Sequence, residues 1–220
     1  MAADMTGNFG QLALFLAAAL GAVVYRLRYL HADIGTARSL SKTLPVALLA
    51  LLALWAGAGW LLVAALVLSA CGDWFLSRSD RYFLPGLVAF LAGHLAYIGI
   101  FLQQPPLTSP PVLALQAAAI LYGAGFAAVL WRRAGKLRLA VMFYILTISV
   151  MAIGSTWYLP ANPLVTFGAF LFVFSDSALA IRMFIVGESA PKSAGLGVIV
   201  WWSYIAAQFA LLLGLSNLLY

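Results

Sequence analysis

The sequence predicts an all-α membrane protein, a bundle of eight transmembrane helices that forms one domain over residues 1–220. Hydrophobic residues make up 65% of the chain and charged residues only 8%, and the mean hydropathy is +1.04, values outside the range of soluble domains. The apolar runs have the roughly 17–25 residues that an α-helix needs to cross the hydrocarbon core. The alternation typical of membrane β-strands is absent from the sequence.

Eight candidate spans follow from these runs and from the Gly, Pro and charge clusters that interrupt them. In chain order they are residues 9–27, 44–56, 60–77, 83–102, 111–131, 139–157, 163–186 and 194–219. The second span is short, and only residues 57–59 separate it from the third. We therefore expect these two spans to form a tight helical hairpin or to cross at a shallow tilt.

The basic residues support this count because short cytoplasmic loops collect Lys and Arg. All twelve fall in or beside alternate connections: Arg26, Arg28, Arg38 and Lys42; Arg78 and Arg81; Arg132, Arg133, Lys136 and Arg138; Arg182 and Lys192. The connections at 57–59, 103–110 and 158–162 contain none. This alternation predicts that both termini lie on the non-cytoplasmic side. The net charge of +6 is then an orientation signal, and no nucleic-acid partner is expected.

The remaining class questions concern the first span and the cysteine content. The residues before the first span include Asp4 and no Lys or Arg, so we expect this span to be retained as a membrane helix. Cys71 is the one cysteine of the chain, which excludes a disulfide framework and a cysteine metal cluster.

Two aspartates lie inside predicted spans, Asp73 in LVLSACGDWFLSRSDR and Asp176 in AFLFVFSDSALAIRMF. Helix rise places them about 6 Å and about 15 Å from the cytoplasmic ends of their spans. A charge at the bilayer centre costs roughly 2.5–3.5 kcal/mol, so both acids require a reason. A structural role would pair Asp73 with Arg78 or Arg81. For Asp176 the corresponding partner is Arg182.

Other polar residues accompany the two acids. His94 and Tyr97 are one turn apart on nearly the same face of the fourth span, and Tyr204 and Gln208 share a face of the eighth. Interhelical hydrogen bonding would account for either pair. Lys42 is interpreted either as a snorkelling anchor or as a cation for a lipid phosphate from the cytoplasmic leaflet.

The two acidic stretches resemble one another. Each acid follows a small residue, Gly72 or Ser175, and the acids are 103 residues apart on spans of the same direction. This spacing is typical of two four-helix halves related by a parallel repeat, with the acids facing each other between the halves.

Two desolvated carboxyls of unlike pKa can supply a general acid and a general base in one pocket. The sequence has no G-x-S-x-G, H-E-x-x-H or P-loop motif. A hydrolase triad built on Ser69 or Ser175 with His94, and a metal held by His94, Asp73 and Asp176, remain chemical alternatives. A proton-coupled transporter is the alternative from another class, since transporters also carry intramembrane acids and repeats. A lipid-binding membrane protein is a third alternative.

An ordered set of motifs resembles the lysoplasmalogenase family, the YhhN-like integral membrane proteins. The motifs are KTLP at residues 42–45, SACGDWFL around Asp73, GLVAFLAGHLAYIGIF with His94 and Tyr97, Tyr144 and Met151 in the sixth span, FVFSDSALAIRMF around Asp176, and SYIAAQ at residues 203–208. One departure is that two residues separate Lys42 from Pro45, where many members have them adjacent.

The resemblance implies a hydrolase that cleaves the vinyl ether bond of lysoplasmalogen to a fatty aldehyde and glycerophosphoethanolamine or glycerophosphocholine. We expect Asp73 and Asp176 to be the acid and base. The expected substrate-binding residues are Lys42, His94, Tyr97, Tyr144, Ser175, Tyr204 and Gln208. Vinyl ether cleavage parallels glycoside hydrolysis, whose transition states are also oxocarbenium-like, and needs no metal or organic cofactor. The expected partners are a lysophospholipid substrate and membrane lipids, in the cytoplasmic (inner) membrane if the source is bacterial.

Overall fold

The computed structural model describes residues 2–187, 190–216 and 218, with side chains from Phe9 onward. These residues form eight α-helices and no strand. The helices are α1 (Ala2–Val24), α2 (Thr36–Trp55), α3 (Trp60–Leu76), α4 (Phe83–Phe101), α5 (Pro110–Trp131), α6 (Arg138–Ser155), α7 (Pro163–Ile181) and α8 (Pro191–Leu215).

The fold class is confirmed as all-α and polytopic. Seven helical segments are long and apolar enough to cross a membrane, and the remaining helix, α3, is a shorter apolar helix of the described chain. Three helices begin at a proline, at Pro110, Pro163 and Pro191. Proline suits the first helical turn because its missing N–H has no partner there in any case. The ends of the predicted spans lie within a few residues of the ends of most helices.

The prediction of a short second span is wrong. Helix α2 begins at Thr36, eight residues before the predicted start, and has 20 residues. Hydropathy does not detect the first turns of α2 because they are polar. Ala37, Arg38 and Leu40 are nevertheless good helix formers. The consequence is that Lys42 lies inside a helix, with Pro45 three residues further along the same helix.

The predicted hairpin between α2 and α3 is confirmed. Residues 56–59 join the two helices, and Gly57 has φ of 68°, a conformation that favours glycine. Because so short a connection makes the helices antiparallel neighbours, it fixes which residues of α2 lie beside which residues of α3.

Two helices end in a wider, π-helical turn that the sequence did not predict. Helix α1 continues into Tyr25–Tyr29, and α7 continues into Arg182–Val186. The π-helical segment after α1 contains Arg26 and Arg28. π turns of this kind are rare and rotate the residues that follow them relative to an ordinary helix. Basic residues at both helix ends therefore point in directions that a 3.6-residue period does not give.

The described chain divides into two compact units. The first comprises the described residues up to Ala96 and from Leu215 onward, and the second is Tyr97–Gly214. The boundary falls within α4, whereas the predicted halves meet between the fourth and fifth helices. The single domain and the repeat stay predictions.

Small residues bring helices together within each unit. In the first, Gly72 of α3 lies against the ring of Phe90 on α4. In the second, Gly168 of α7 lies against Leu211 of α8, and Gly123 of α5 against Ser149 of α6. Membrane helices associate through such close approaches because apolar side chains are already solvated by lipid.

We predict that Gly72→Ala destabilises the protein. A Cβ at Gly72 would lie 2.5 Å from the ring of Phe90, a side chain only 7% exposed, so the ring must shift. Overpacking of this kind costs about 1–3 kcal/mol, which a lower melting temperature in detergent would reveal. Gly125→Ala on α5 is the matched control, since nothing lies within 4 Å of the added methyl group. Equal melting temperatures for the two variants would show that the Phe90 ring moves aside without a measurable loss of stability.

Candidate active site

Asp73 lies on α3 and is 1% exposed. Lys42 on α2 faces it across the hairpin, with 3.4 Å between Lys42 Nζ and Asp73 Oδ1, and the Lys42 side chain is 18% exposed. The ammonium group provides the positive charge that a buried carboxylate needs. Both residues are predicted site residues, and the hairpin brings them together.

The structural partners expected for Asp73 are directed elsewhere. The Arg78 guanidinium lies over the Trp74 ring at 4.4 Å, and that of Arg81 lies over the Tyr82 ring at 4.6 Å. Arg81 also donates to the Tyr82 hydroxyl at 2.9 Å. The ion pair of Asp73 is thus made with a lysine of the neighbouring helix and not with an arginine of its own loop.

Asp176 lies on α7 and is half-buried. The Tyr144 hydroxyl, on α6, donates to Asp176 Oδ2 at 2.5 Å. A phenol that donates to one carboxylate oxygen fixes the direction of the carboxyl group. Tyr144 was expected at the site from the family resemblance alone, and the structure brings it to Asp176.

Two residues near Asp176 bond to other parts of the second unit. The Ser175 hydroxyl donates to the Val200 carbonyl of α8 at 3.0 Å. Arg182 Nε donates to the Ser193 hydroxyl at 2.9 Å. Ser175 thus joins α7 to α8, and the expected pairing of Arg182 with Asp176 stays a prediction.

Tyr97 and Gln208 form a buried pair in the second unit. The Tyr97 hydroxyl donates to Gln208 Oε1 at 2.9 Å, and both side chains are 0% exposed. Gln208 Nε2 is enclosed and has no hydrogen-bond partner within the described part of the chain. One oriented donor in an apolar surrounding is therefore left to bind a further oxygen.

The last two predicted binding residues are also buried. His94 on α4 is 1% exposed, and Tyr204 on α8 is 4% exposed. The Tyr204 ring packs edge-on against Phe172 with 5.4 Å between ring centroids. Both side chains are thus enclosed within the protein, and their substrate-binding role stays a prediction.

The triad and metal alternatives receive little geometric support. The Ser69 hydroxyl donates to the Ala65 carbonyl of its own helix at 2.8 Å, an ordinary way to satisfy a hydroxyl in a membrane helix. Within each unit, the described residues contain no group of three His, Cys, Asp or Glu side chains with metal-ligand geometry.

One charged residue near the site was overlooked in the sequence. Arg38 lies one turn before Lys42 on α2, and its Nε is enclosed without a hydrogen bond in the described residues. Helix α2 begins at Thr36, whereas the predicted second span begins at residue 44, which places Arg38 in a loop. Recognising the helix-forming residues from 37 onward would have placed it on the same face as Lys42.

Fold and site together define a polytopic membrane protein that holds acids inside its apolar helices through a lysine and a tyrosine. The chain belongs to the YhhN family, which it matches over residues 37–215, a range that includes both aspartates. The predicted family is thereby confirmed.

Known relatives carry one shared name. The chain is 35% identical over 159 residues to proteins named lysoplasmalogenase from Mycobacterium bovis and Mycobacterium tuberculosis, a match that covers 70% of this chain and 59% of each relative. It is 33% identical over 184 residues to lysoplasmalogenase TMEM86B of Sus scrofa, covering 81% of this chain and 75% of that protein. The chain thus spans about three fifths of the length of the mycobacterial relatives it matches. No solved structure matches it significantly.

Proposed function

We propose that this protein is a membrane hydrolase that cleaves the vinyl ether bond of lysoplasmalogen. The products are a fatty aldehyde and glycerophosphoethanolamine or glycerophosphocholine. The observation that carries the proposal is the family match across residues 37–215, together with relatives named lysoplasmalogenase. Its physical support is that each predicted catalytic aspartate is held by a polar side chain of another helix.

The chemistry begins with transfer of a proton to the vinyl carbon remote from the ether oxygen. The electron pair of the double bond forms the new C–H bond, and the ether oxygen shares the resulting positive charge as an oxocarbenium ion. Water adds to the cationic carbon and loses a proton to a base. The hemiacetal then collapses: its hydroxyl loses a proton to a carboxylate, the C–O bond to glycerol breaks, and the glycerol oxygen takes a proton from the carboxylic acid. The aldehyde and the glycerol hydroxyl are released.

These reaction steps require one carboxylic acid and one carboxylate. The acid delivers the first proton, and the carboxylate lies against the cation and accepts the proton that water loses. That Asp73 and Asp176 act on the same substrate is inferred from the sequence and the family resemblance.

The contacts of each aspartate suggest how the two roles divide. Lys42 balances a negative charge at Asp73, which suits Asp73 to the carboxylate role. The Tyr144 hydroxyl orients Asp176, and its hydrogen bond strengthens as this carboxyl gives up a proton and becomes charged, which suits Asp176 to the role of proton donor. We therefore assign the carboxylate to Asp73 and the proton donor to Asp176.

The remaining predicted residues bind and orient. Gln208, fixed by Tyr97, presents its N–H to an oxygen of the glycerol or to the attacking water. His94, Ser175 and Tyr204 enclose the polar part of the substrate, and Lys42 orients the Asp73 carboxylate toward it. The site works without a metal or an organic cofactor.

The membrane orientation is part of the same proposal. All twelve basic residues lie in or beside alternate connections, so both termini face the non-cytoplasmic side, and Asp73 and Lys42 lie toward the cytoplasmic leaflet. In a bacterial cell the protein belongs in the inner membrane. The substrate then enters from the cytoplasmic leaflet.

An assay of aldehyde release tests the proposed function. The purified protein receives lysoplasmalogen, a 1-acyl lysophospholipid and a saturated 1-O-alkyl lysophospholipid with the same head group. Only the vinyl ether is expected to be cleaved, because only it forms an oxocarbenium ion on protonation. Cleavage of the ester, or uptake of the lipid without aldehyde release, would overturn the proposal.

Tyr144→Phe is expected to lower kcat with little change in KM. As Asp176 gives up its proton it becomes charged, so the bond from Tyr144 strengthens in the transition state. Loss of a hydrogen bond to a charged group costs about 1.5–3 kcal/mol, roughly ten- to a hundredfold in rate. Tyr122→Phe, at a 48% exposed phenol on α5, is the matched control. A full rate for Tyr144→Phe, or an equal loss in both variants, would mean that the contact with Asp176 does not serve catalysis.

A further inference from the structure

A groove runs between α2 and α3 on the surface of the first unit. Its volume is about 310 Å³. The side chains that shape it include Thr43, Ala47, Ala50, Ala70, Cys71 and Trp74. The small side chains of the three alanines create this space, and nearly all of the atoms that line it are apolar. Ala47 and Cys71 are exposed, so the groove is open from outside.

The groove suits a hydrocarbon chain. It lies between two apolar helices of a membrane protein, where the surrounding medium is lipid. From Thr43 to Ala50 its length along α2 is roughly 10 Å, from the helix rise of 1.5 Å per residue. Its volume is at the lower limit of ligand pockets, about 300–1,000 Å³, which leaves room for one chain and not for two.

A cation stands at one end of the groove. Arg78 lies over the ring of Trp74, which is itself part of the lining. Arg78 Nε is enclosed and makes no hydrogen bond to any described residue. The contact with Trp74 places this guanidinium at the end of the groove, and a guanidinium can bind a phosphate through two of its N–H groups.

The hairpin register places a second arginine at the same level. Lys42 lies beside Asp73, and the helices are antiparallel. Four residues toward the start of α2 from Lys42 is Arg38, and four residues toward the end of α3 from Asp73 is Ser77, next to Arg78. Arg38 shares the face of Lys42, whereas Thr43, Ala47 and Ala50 line the groove from another face of α2. Arg78, which lies over Trp74 of the lining, is therefore the arginine at this end of the groove.

We propose that this groove binds a single-chain phospholipid, with the hydrocarbon chain between α2 and α3 and the phosphate at Arg78. The apolar lining, the room for one chain and the arginine at one end each match one part of such a lipid. The proposal rests on the proposed function only in that lysoplasmalogen is a lipid of this shape, which would make the groove its docking site beside Lys42 and Asp73.

Photolabelling tests the proposal without turnover. The probe is a saturated 1-O-alkyl lysophosphatidylcholine with a diazirine in its chain, which has no vinyl ether to cleave. After irradiation of the purified full-length protein in detergent, mass spectrometry should place the label in residues 43–50 and 67–75. Unlabelled lysophosphatidylcholine should compete, whereas a monoacylglycerol of equal chain length, which lacks the phosphate, should compete about tenfold less well.

Two pairs of variants sharpen the test. Arg78→Gln should lower the labelling yield about tenfold, while Arg81→Gln, at an arginine held on Tyr82, should leave it unchanged. Ala47→Phe fills the groove and should abolish the label, while Leu44→Phe, at a 50% exposed position outside the groove, should not.

Several results would overturn the lipid site. They are label outside these two segments, equal yields for Arg78→Gln and Arg81→Gln, equal competition by the monoacylglycerol, and protection that depends on protein concentration, which would identify a second copy as the occupant. A protein that takes the label in the groove but releases no aldehyde would overturn the proposed function and leave this site standing.

Discussion

Replacing either Asp73 or Asp176 by asparagine should lower the rate of aldehyde release from lysoplasmalogen roughly a thousandfold, within the range for loss of a general acid or base. Asparagine keeps the size of the side chain and removes its ability to exchange a proton. The measurement is kcat for purified, detergent-solubilised protein. Because the two carboxyls are proposed to act on one substrate, the double variant should be scarcely slower than either single variant.

The control for these variants is Asp80→Asn, at an exposed aspartate in the turn between α3 and α4. Its rate should equal that of the unaltered protein. A normal rate for a folded Asp73→Asn or Asp176→Asn variant would remove that residue from the mechanism. If only one of the two variants is inactive, catalysis by a pair of carboxyls is wrong.

Lys42→Met should destabilise the protein more than the double change Lys42→Met with Asp73→Asn. Removing the lysine alone leaves a buried carboxylate without its counter-charge, whereas the double variant leaves two neutral groups. Loss of one partner of a buried pair costs about 3–5 kcal/mol. The lower end applies because the Lys42 side chain keeps 18% exposure, and this corresponds to a melting temperature roughly 6–12 °C lower.

Thermal unfolding of the two variants in detergent provides the measurement. Lys192→Met serves as the matched control, since Lys192 is exposed at the start of α8 and its loss should change the melting temperature little. The interpretation fails if the double variant is no more stable than Lys42→Met, because the buried charge would then not be the source of the instability.

The hydropathy of the sequence predicts most of the helical architecture. The eight helices, most of their ends and the α2–α3 hairpin were all predicted, because crossing a membrane requires long apolar segments whatever their packing. The start of α2 was missed because its first turns are polar yet helical. Hydropathy cannot detect the helical structure of such a segment, whereas helix propensity can.

Which residues of different helices contact one another at the site was harder to predict from the sequence. The choice of Lys42 over Arg78 for Asp73 depends on the register of two antiparallel helices, which neither residue reveals alone. Tyr144 came from the family resemblance, because a tyrosine 32 residues before Asp176 has no periodic relation to it. Gln208 and Tyr97 were singled out as polar residues in apolar helices, but their contact with one another depends on how α4 and α8 pack.

The position of Cys71 gives this protein a built-in attachment point. It is the one thiol of the sequence, it is exposed, and it lies in the wall of the α2–α3 groove. A nitroxide or fluorine label coupled to it will therefore stand at a single known location in the unaltered protein. Its spectrum will report directly on whatever enters or leaves that location, with no cysteine to remove and none to introduce.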